Sequence, residues 1–382
     1  MTEHARKYKG APSMEVLRER FESHNFEPST DSVEYLKDRF IRHTKRRFAV
    51  RSLIDLSQQL DNPKVIDNID GLLLGEARRL AQLMPTTQVK KFSDIEDRIE
   101  TYETGNHENR GIKMGIPSID ERTMGMQPHE MITIAGWQGT GKSTLVQWIL
   151  FNAWMAGETP MIISLEMEAS ALLRKWDTML TNFKYRDLKA HDLSPEDIER
   201  WKIKAQMVKD KKCDIIIKDD VKDCTADFVY AEAMRYQPSL LAIDYISLME
   251  TSRSAGQAMW EKVTHITNQL KQVARTTGIP IIAVAQTNIA SADGGAELSN
   301  ISYSRSIGQD SDIVLGLHQD ADMKENKQMT VRMLKNRDGD GVNTDLKWDM
   351  EHMKFSDWSE VEAIKAVKER RENINYDTGE IT

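Results

Sequence analysis

Short apolar segments alternate with helical patterns from Gly111 onward, and this alternation predicts most of the fold. Apolar runs of strand length lie at residues 131–135, 160–164, 213–217, 240–243, 279–285, 312–317 and 329–334. Helical periodicity fills several intervals, most clearly over 144–154 and 169–180, and residues 194–197 (SPED) form a capped helix start. Strands that alternate with helices form a mostly parallel sheet with helices on both faces. We therefore expect an α/β domain of this kind.

The first part of the chain shows helical patterns and no convincing strand. Helices are predicted over 14–24, from about residue 31 past Phe40, and over 65–83. A charged helix over 94–103 and the polar run 105–110 are typical of a linker helix with a hinge, which is either a spacer or a segment that packs on a neighbouring copy. The predicted organisation is a small all-α N-terminal domain (1–90), a linker helix and hinge (91–110), the α/β domain (111–356), and a charged C-terminal helix, starting near Ser356, with a tail (357–382).

Composition narrows the class of protein. With 382 residues, 40% hydrophobic and 29% charged, the chain is long enough for two globular domains. No apolar run approaches the roughly 20 residues that cross a bilayer, and the polar start lacks a signal peptide, so we expect a cytoplasmic protein without a membrane partner. Cys213 and Cys224 form no C-x-x-C pair, which favours reduced thiols. A net charge of −8 argues against a nucleic-acid coat but allows a local basic channel.

The chemistry centres on residues 136–143 (GWQGTGKS), which match the phosphate-binding pattern G-x-x-x-x-G-K-[ST] between a predicted strand and a predicted helix. The glycines allow backbone N–H groups to turn toward phosphates, and the helix dipole adds positive charge there. Lys142 is expected to reach the outer phosphates and Ser143 to hold Mg²⁺. The alternative is a glycine-rich turn with an incidental lysine. The predicted nucleotide-binding residues, for ATP or GTP, are Gly136, Gly139, Thr140, Gly141, Lys142, Ser143 and Thr144.

Acidic residues follow two of the other strands. Asp244 ends the apolar run 240–243, the pattern of the second nucleotide-binding motif (Walker B), where it is expected to serve Mg²⁺, although such an aspartate is also a common helix cap. Glu166 follows the run 160–164 and is the candidate general base for the attacking water. Glu168 is the competing candidate and sits where an acid commonly serves the next helix dipole.

Three further features follow later strands. Gln286 ends the run 279–285, and its amide is a candidate sensor of the terminal phosphate. The long polar loop 287–305 is either a binding loop, in which Tyr303 and Arg305 meet base or sugar and phosphate, or a floppy surface segment. Lys335 and Arg337 alternate onto one face of a strand tip before an Asp-Gly turn, as hairpin decoration or as a finger that neutralises phosphate charge in a neighbouring subunit.

Seven short motifs occur in the order found in one protein family. They are residues 114–120 (MGIPSID), 125–128 (GMQP), 164–167 (SLEM), 243–246 (IDYI), 285–288 (AQTN), 306–312 (SIGQDSD) and 335–337 (KNR), together with the phosphate loop. In this respect the chain resembles the DnaB-type replicative helicases from Gly111 to about Phe355. The compact form suits a phage or another mobile element.

The resemblance implies a RecA-like ATPase domain that assembles as a homo-hexamer around single-stranded DNA, hydrolyses ATP with Mg²⁺ and unwinds forked DNA. Position by position it implies that Lys142 and Ser143 bind phosphate and Mg²⁺, Glu166 is the base, and Asp244 serves the metal. It further implies that Gln286 is the sensor, that Lys335 and Arg337 reach the adjacent subunit's ATP, and that the linker helix docks on the next subunit. The DNA-binding loop would include Asn300, Tyr303, Ser304 and Arg305.

The chain departs from the family pattern in two places. Arg305 and Gly308 replace the small residue and the acid that are usual around the DNA-binding loop. The short N-terminal part does not align, so a primase or a helicase loader is a partner suggested by the family alone.

Two other functions compete with the helicase. A recombination ATPase of the RecA or RadA type shares the core and the DNA partner but pairs strands, and the motifs at 164–167 and 335–337 disfavour it. A non-processive ATP-binding ring that acts as a scaffold is disfavoured by the intact phosphate loop, acid and finger.

Overall fold

A computed structural model describes residues 43, 46–47, 49–54, 57, 73, 75, 92–93, 95–103, 111–251, 258–286 and 304–358. The chain divides into two compact units, Met1–Val89 and Lys90–Thr382. The described residues of the first unit are helical. The predicted helix 14–24, the hinge 105–110, most of the loop 287–305 and the C-terminal tail lie outside the described residues. None of the described helices combines the length and the apolar character that a membrane span requires.

The described part of the second unit contains one sheet of nine strands, in the order β3-β2-β4-β5-β1-β6-β7-β8-β9. The strands are β1 (Met131–Gly136), β2 (Pro160–Ser164), β3 (Ile216–Lys218), β4 (Leu240–Asp244), β5 (Ile281–Gln286), β6 (Ile313–His318), β7 (Gln328–Asn336), β8 (Asn343–Asp349) and β9 (Lys354–Asp357). All pairings from β3 to β6 are parallel, and those from β6 to β9 are antiparallel. The mostly parallel sheet that the sequence predicts is thus confirmed.

Helices connect the strands and precede them. They are α1 (Ile95–Glu103), α2 (Pro117–Thr123), α3 (Lys142–Met155), α4 (Ala169–Thr181), α5 (Tyr185–Ala190), α6 (Pro195–Asp210), α7 (Ala226–Tyr236), α8 (Met259–Thr277), α9 (Ser304–Asp310) and α10 (Ala321–Glu325), with a short 3₁₀ helix at Ile246–Leu248. The start of α6 shows how locally some of them are specified. Pro195 occupies the first turn, and the Ser194 side chain accepts a hydrogen bond from the Asp197 N–H, as its capping pattern predicts.

The sheet is covered on both faces because its central strands are apolar at every position. Ile132 and Ile134 of β1 pack in one hydrophobic cluster, with residues of α3 and α4. Met131 and Ala135 of the same strand pack in a second cluster, with residues of α7 and α8. Successive side chains of a strand point to opposite faces, so a fully buried parallel strand appears as a continuous apolar run in the sequence.

The end of the domain differs from the sequence-based expectation. Ser356 and Asp357 do not begin a C-terminal helix but lie in β9, which pairs antiparallel with β8. The buried Asp357 carboxylate accepts a hydrogen bond from the Ser118 N–H at 3.1 Å. The predicted boundary at 356 and 357 is therefore wrong, because these two residues belong to the sheet. Strand β8 was not predicted either.

Candidate nucleotide-binding and catalytic site

The predicted phosphate loop joins the carboxyl end of β1 to the first residue of α3. Gly139 and Gly141 have φ angles of 80° and 83°, in the left-handed region that favours glycine. At Gly136 a Cβ atom would lie 2.8 Å from the Thr140 hydroxyl oxygen, so Gly136 and Thr140 pack against each other inside the loop. The glycine positions of the pattern are thus required by the backbone.

Trp348 of β8 packs against the loop from the other side. Its six-membered ring would lie 2.7 Å from a Cβ atom added at Gly141. The indole is buried and stacks on Phe355 of β9, with ring centroids 5.6 Å apart. The two strands that the sequence did not predict therefore form a wall beside the phosphate loop.

Replacing Gly141 by alanine is expected to destabilise the fold more than the same change at Gly139. Both positions carry a positive φ angle, which costs a non-glycine residue about 1–2 kcal/mol. Only at Gly141 would the added Cβ also clash with Trp348, whereas the space around Gly139 is open. Urea unfolding of the two variants measures the difference. Equal losses of unfolding free energy would contradict the contact between Trp348 and the loop.

Lys142 is the first residue of α3 and its ammonium group is turned back onto the loop. Its Nζ atom donates to the carbonyl oxygens of Gly136 at 2.8 Å and Trp137 at 2.6 Å. Burial lowers the pKa of this lysine, and the nearby carboxylates of Asp244 and Glu166 partly oppose that effect. The ammonium therefore lies at the mouth of the loop.

Asp244 ends β4 and is buried next to Ser143. The Ser143 side chain hydrogen-bonds to the carboxylate, while the buried Oδ2 atom has no hydrogen-bond partner among the described residues. Burial raises the pKa of Asp244, and the hydrogen bond from Ser143 lowers it. A hydroxyl and a carboxylate oxygen without a partner are hard oxygen ligands, so these two residues fit a magnesium ion.

Glu166 follows β2 in a tight turn closed by Ser164. The Ser164 hydroxyl donates to the Met167 carbonyl at 2.6 Å and accepts from the Met167 N–H at 3.1 Å. Ser164 pairs with Asp244 across β2 and β4, and Gly136 pairs with Gln286 across β1 and β5, so all four strands end at one edge of the sheet. This register brings the side chains that follow the four strands together.

The converging side chains line one open cleft of about 470 Å³. Of the predicted residues it includes Gly139, Gly141, Lys142, Ser143, Thr144, Glu166, Asp244 and Gln286. Gly136 and Thr140 are part of the loop but do not line the cleft. Glu168 does not line it either: it is the N-cap residue of α4, as the competing interpretation of that acid holds.

Several residues of the cleft were missed by the sequence analysis. They are Gln138, Met167, Lys175, Tyr245, Trp348 and Met350. One of them carried a signal. Leu172, Lys175 and Met179 follow each other at spacings of three and four, so the lysine interrupts the buried stripe of α4. A charge in that stripe indicates that the helix faces something polar.

The predicted finger residues lie elsewhere: within the described residues, neither Lys335 nor Arg337 lines the cleft. The Lys335 ammonium donates to the carbonyl oxygens of Gly308 at 2.7 Å and Ser311 at 2.5 Å, at the C-terminal end of α9. Arg337 follows β7, and its side chain is 66% exposed and ion-paired with Asp312 at 3.2 Å.

Asp312 fixes Arg337 in two ways. The Asp312 carbonyl accepts from the Arg337 N–H at 3.0 Å, in addition to the side-chain ion pair. Burial raises the pKa of Asp312, but hydrogen bonds, first that from Lys271, outweigh burial and bring the pKa below its ordinary value. The carboxylate therefore remains charged, and it holds the base of the Arg337 side chain while most of that side chain stays in solvent.

Two of the four predicted DNA-binding residues can be placed. Ser304 and Arg305 form the first turn of α9 and not the end of a loop, which corrects the predicted boundary. Helical hydrogen bonding near the end of the segment overrides its polar, loop-like composition. Asn300 and Tyr303 lie outside the described residues.

A phosphate loop after a central parallel strand, with acidic and amide side chains at the ends of neighbouring strands, defines a P-loop nucleotide-binding domain of the RecA-like type. A sequence model of the DnaB-like helicase C-terminal domain family matches residues 111–357. The chain therefore belongs to this family of helicases, as the motifs predict.

Relatives and solved structures agree with this family. The replicative DNA helicase DnaB of Geobacillus stearothermophilus is 27% identical over 350 residues, which cover 86% of this chain and 75% of the relative. The replicative DNA helicase DnaC of Bacillus subtilis is 26% identical over 351 residues, covering 87% and 76%.

Two solved structures share the fold. An ATPase domain of another protein matches with a TM-score of 0.62 at 20% identity, over 70% of this chain and 99% of that one. A DnaB-like replicative helicase, studied with its interactions with primase, matches with a TM-score of 0.66 at 18% identity, over 85% and 77%.

Proposed function

We propose that this protein is a homo-hexameric ring motor that moves along single-stranded DNA and separates the strands of a replication fork. Its family makes it an ATP-hydrolysing DNA helicase of the DnaB type. The observation that carries the proposal is the single cleft that contains the phosphate loop, Asp244, Glu166 and Gln286. These are the parts that ATP hydrolysis requires.

Each side chain of the cleft has one proposed task. The loop N–H groups and Lys142 hold the phosphates, and Lys142 leaves its carbonyl partners to do so. Ser143 and Asp244 would hold Mg²⁺, which when bound neutralises phosphate charge. Glu166 orients the attacking water and accepts its proton, because its carboxylate follows the strand beside Asp244. Gln286 hydrogen-bonds according to whether the terminal phosphate is present.

The finger residues Lys335 and Arg337 are proposed to act on the ATP of the adjacent subunit. Their absence from the cleft of their own chain, within the described residues, supports this assignment, as does the exposure of Arg337. An arginine supplied by a neighbour stabilises the charge that develops on the transferred phosphoryl group. Hydrolysis would then require contact between subunits.

Helix α1, with the turn before it, is proposed to be the linker that holds neighbouring copies together. This acidic segment exposes large apolar side chains, with Phe92 90% and Tyr102 88% exposed, and Ile95 and Ile99 also exposed. Exposed apolar groups of this size are typical of a surface that is covered by a partner. The domain boundaries proposed here are those predicted from the sequence, with the ATPase domain extended through β9.

DNA is proposed to run through the ring along residues 300–305 of each subunit, where Asn300, Tyr303, Ser304 and Arg305 would contact it. Six such segments give a local basic channel despite the overall charge of −8. A primase is a proposed partner, since a related helicase was solved with its primase interactions. We place the protein in the cytoplasm of a bacterial or phage-infected cell.

A forked-duplex assay tests the function. With ATP and Mg²⁺ the protein is expected to release the labelled strand, whereas the Lys142→Ala variant should not. Electron micrographs with an ATP analogue and single-stranded DNA should show six-membered rings. Strand exchange without unwinding would instead identify a recombination ATPase, and rings without ATP-driven unwinding would identify a scaffold.

Binding to single-stranded DNA is expected to weaken steeply with salt. Each phosphate contact should contribute about −0.7 to the slope of log affinity against log salt concentration. Fluorescence anisotropy of a labelled oligonucleotide across a salt series measures the slope. Replacing residues 300–305 by a Gly-Ser linker should flatten it. A flat response in the wild-type protein would contradict the channel.

A further inference from the structure

Lys175 is a second lysine of the nucleotide cleft that none of the family motifs contains. It lies on α4, on the wall formed by the segment after β2, and lines the same cleft as Lys142, Asp244 and Glu166. The phosphate-loop pattern explains Lys142 but gives no reason for a second ammonium group. Its position requires a separate explanation.

The surroundings of Lys175 do not satisfy its charge. Within the described residues its hydrogen-bond partner is the Sδ atom of Met167, at 3.8 Å, and a thioether is a weak acceptor. It forms no ion pair with any described carboxylate. Leu172 and Met179 on the same stripe of α4 are buried. Burying an ammonium group without a strong partner is costly, so the group is arranged for a partner that arrives from the cleft.

The charges around Lys175 indicate which part of a ligand it meets. Asp244 and Glu166 are the two acids whose fields oppose the effect of burial on the pKa of Lys175, and they do the same for Lys142. Both lysines therefore lie near the end of the cleft where the metal-binding and base carboxylates meet. That end holds the terminal phosphate if the phosphate loop holds the others.

We propose that Lys175 binds the terminal phosphate of the bound nucleoside triphosphate, from the wall of the cleft formed by α4. This inference rests on the proposed function and adds a phosphate-binding residue to it. Lys175 would leave the thioether of Met167 and donate to the phosphate oxygens when a triphosphate enters. A diphosphate has no group at that place, so Lys175 would distinguish ATP from ADP.

Equilibrium binding of a non-hydrolysable ATP analogue and of ADP, each with Mg²⁺, tests the proposal on the full chain. K175M should weaken binding of the analogue at least about tenfold, because a hydrogen bond to a charged group is lost, and should change ADP binding by less than about twofold. K175R, which keeps the charge, should retain most of the analogue affinity. K202M is the matched control, since Lys202 is exposed on α6 and paired with Glu199.

Each outcome decides. An unchanged affinity ratio of analogue to ADP in K175M, or a loss that K202M reproduces, would overturn the proposal. Methionine suits the buried stripe of α4, and K175Q gives the same ratio test should K175M fail to fold. The failure of the proposed function would differ in kind, because the wild-type protein would then bind neither nucleotide, or would bind both equally well in the Lys142→Ala variant.

Discussion

Replacing Glu166 by glutamine is expected to reduce ATP hydrolysis about 10²–10⁴-fold while ATP binding stays within a few-fold of the wild-type affinity. The amide has nearly the shape of the carboxylate, so the cleft keeps its form, but it cannot accept a proton from the attacking water. Phosphate release under single-turnover conditions measures the chemical step, and a fluorescent ATP analogue measures binding. The variant should trap ATP.

Glu168→Gln is the matched control for this experiment. Glu168 lies two residues further on, at the N-cap of α4 and outside the lining of the cleft, so its loss should leave hydrolysis close to the wild-type rate. If Glu168→Gln trapped ATP and Glu166→Gln remained active, the assignment of the general base would be wrong. Substitution of both residues should add little to the effect of Glu166→Gln.

Replacing Arg337 by alanine is expected to slow hydrolysis about 10³-fold or more, with ATP binding nearly unchanged. The guanidinium makes its own-chain contact with Asp312, does not line the described cleft of its own subunit and is 66% exposed. Its effect should therefore come from the transition state in the neighbouring subunit. Steady-state turnover with saturating ATP and single-stranded DNA measures the loss.

Mixed rings test whether the site is shared. Arg337→Ala subunits supply an intact phosphate loop, and Lys142→Ala subunits supply an intact finger, so co-assembled rings should recover some turnover although each parent is inactive. Native mass spectrometry verifies the mixing. If mixed rings recovered nothing and the Arg337→Ala ring alone hydrolysed ATP at the wild-type rate, Arg337 would be an ordinary hairpin residue.

The phosphate loop and its acids could be predicted because their signals are local. A glycine at a fixed position, a lysine before a serine and an acid after an apolar run each specify a short piece of backbone. The common edge of the sheet follows from parallel pairing, which places Ser164 beside Asp244 and Gly136 beside Gln286. General rules of sheet topology therefore extend local motifs into a site.

The wall of the cleft could not be predicted in the same way. Strand β8 (NTDLKWD) has polar residues at alternate positions, and its buried face consists of Thr344, Leu346 and Trp348. It becomes a strand because it pairs with β7 on one side and β9 on the other. Lys175 shows the same limit, since its place in an apolar stripe could be noticed but the cleft it faces is made by other strands.

The use of Lys335 is a tertiary feature as well. Strand alternation placed it with Arg337, yet its ammonium group caps the carbonyl end of α9, the helix that follows the proposed DNA-binding segment. Nothing in residues 335–337 indicates that partner. The finger strand and the end of α9 are joined by these two hydrogen bonds.

The two edges of the sheet are short, with three residues in β3 and four in β9. An edge strand offers unpaired backbone groups to other chains, and a short one offers few of them. Copies of this domain therefore have little opportunity to join by extending one sheet into the next. Contacts between copies must be made mainly by side chains, which can slide, separate and form again without unzipping a backbone ladder, and edge-to-edge growth into fibrils is disfavoured.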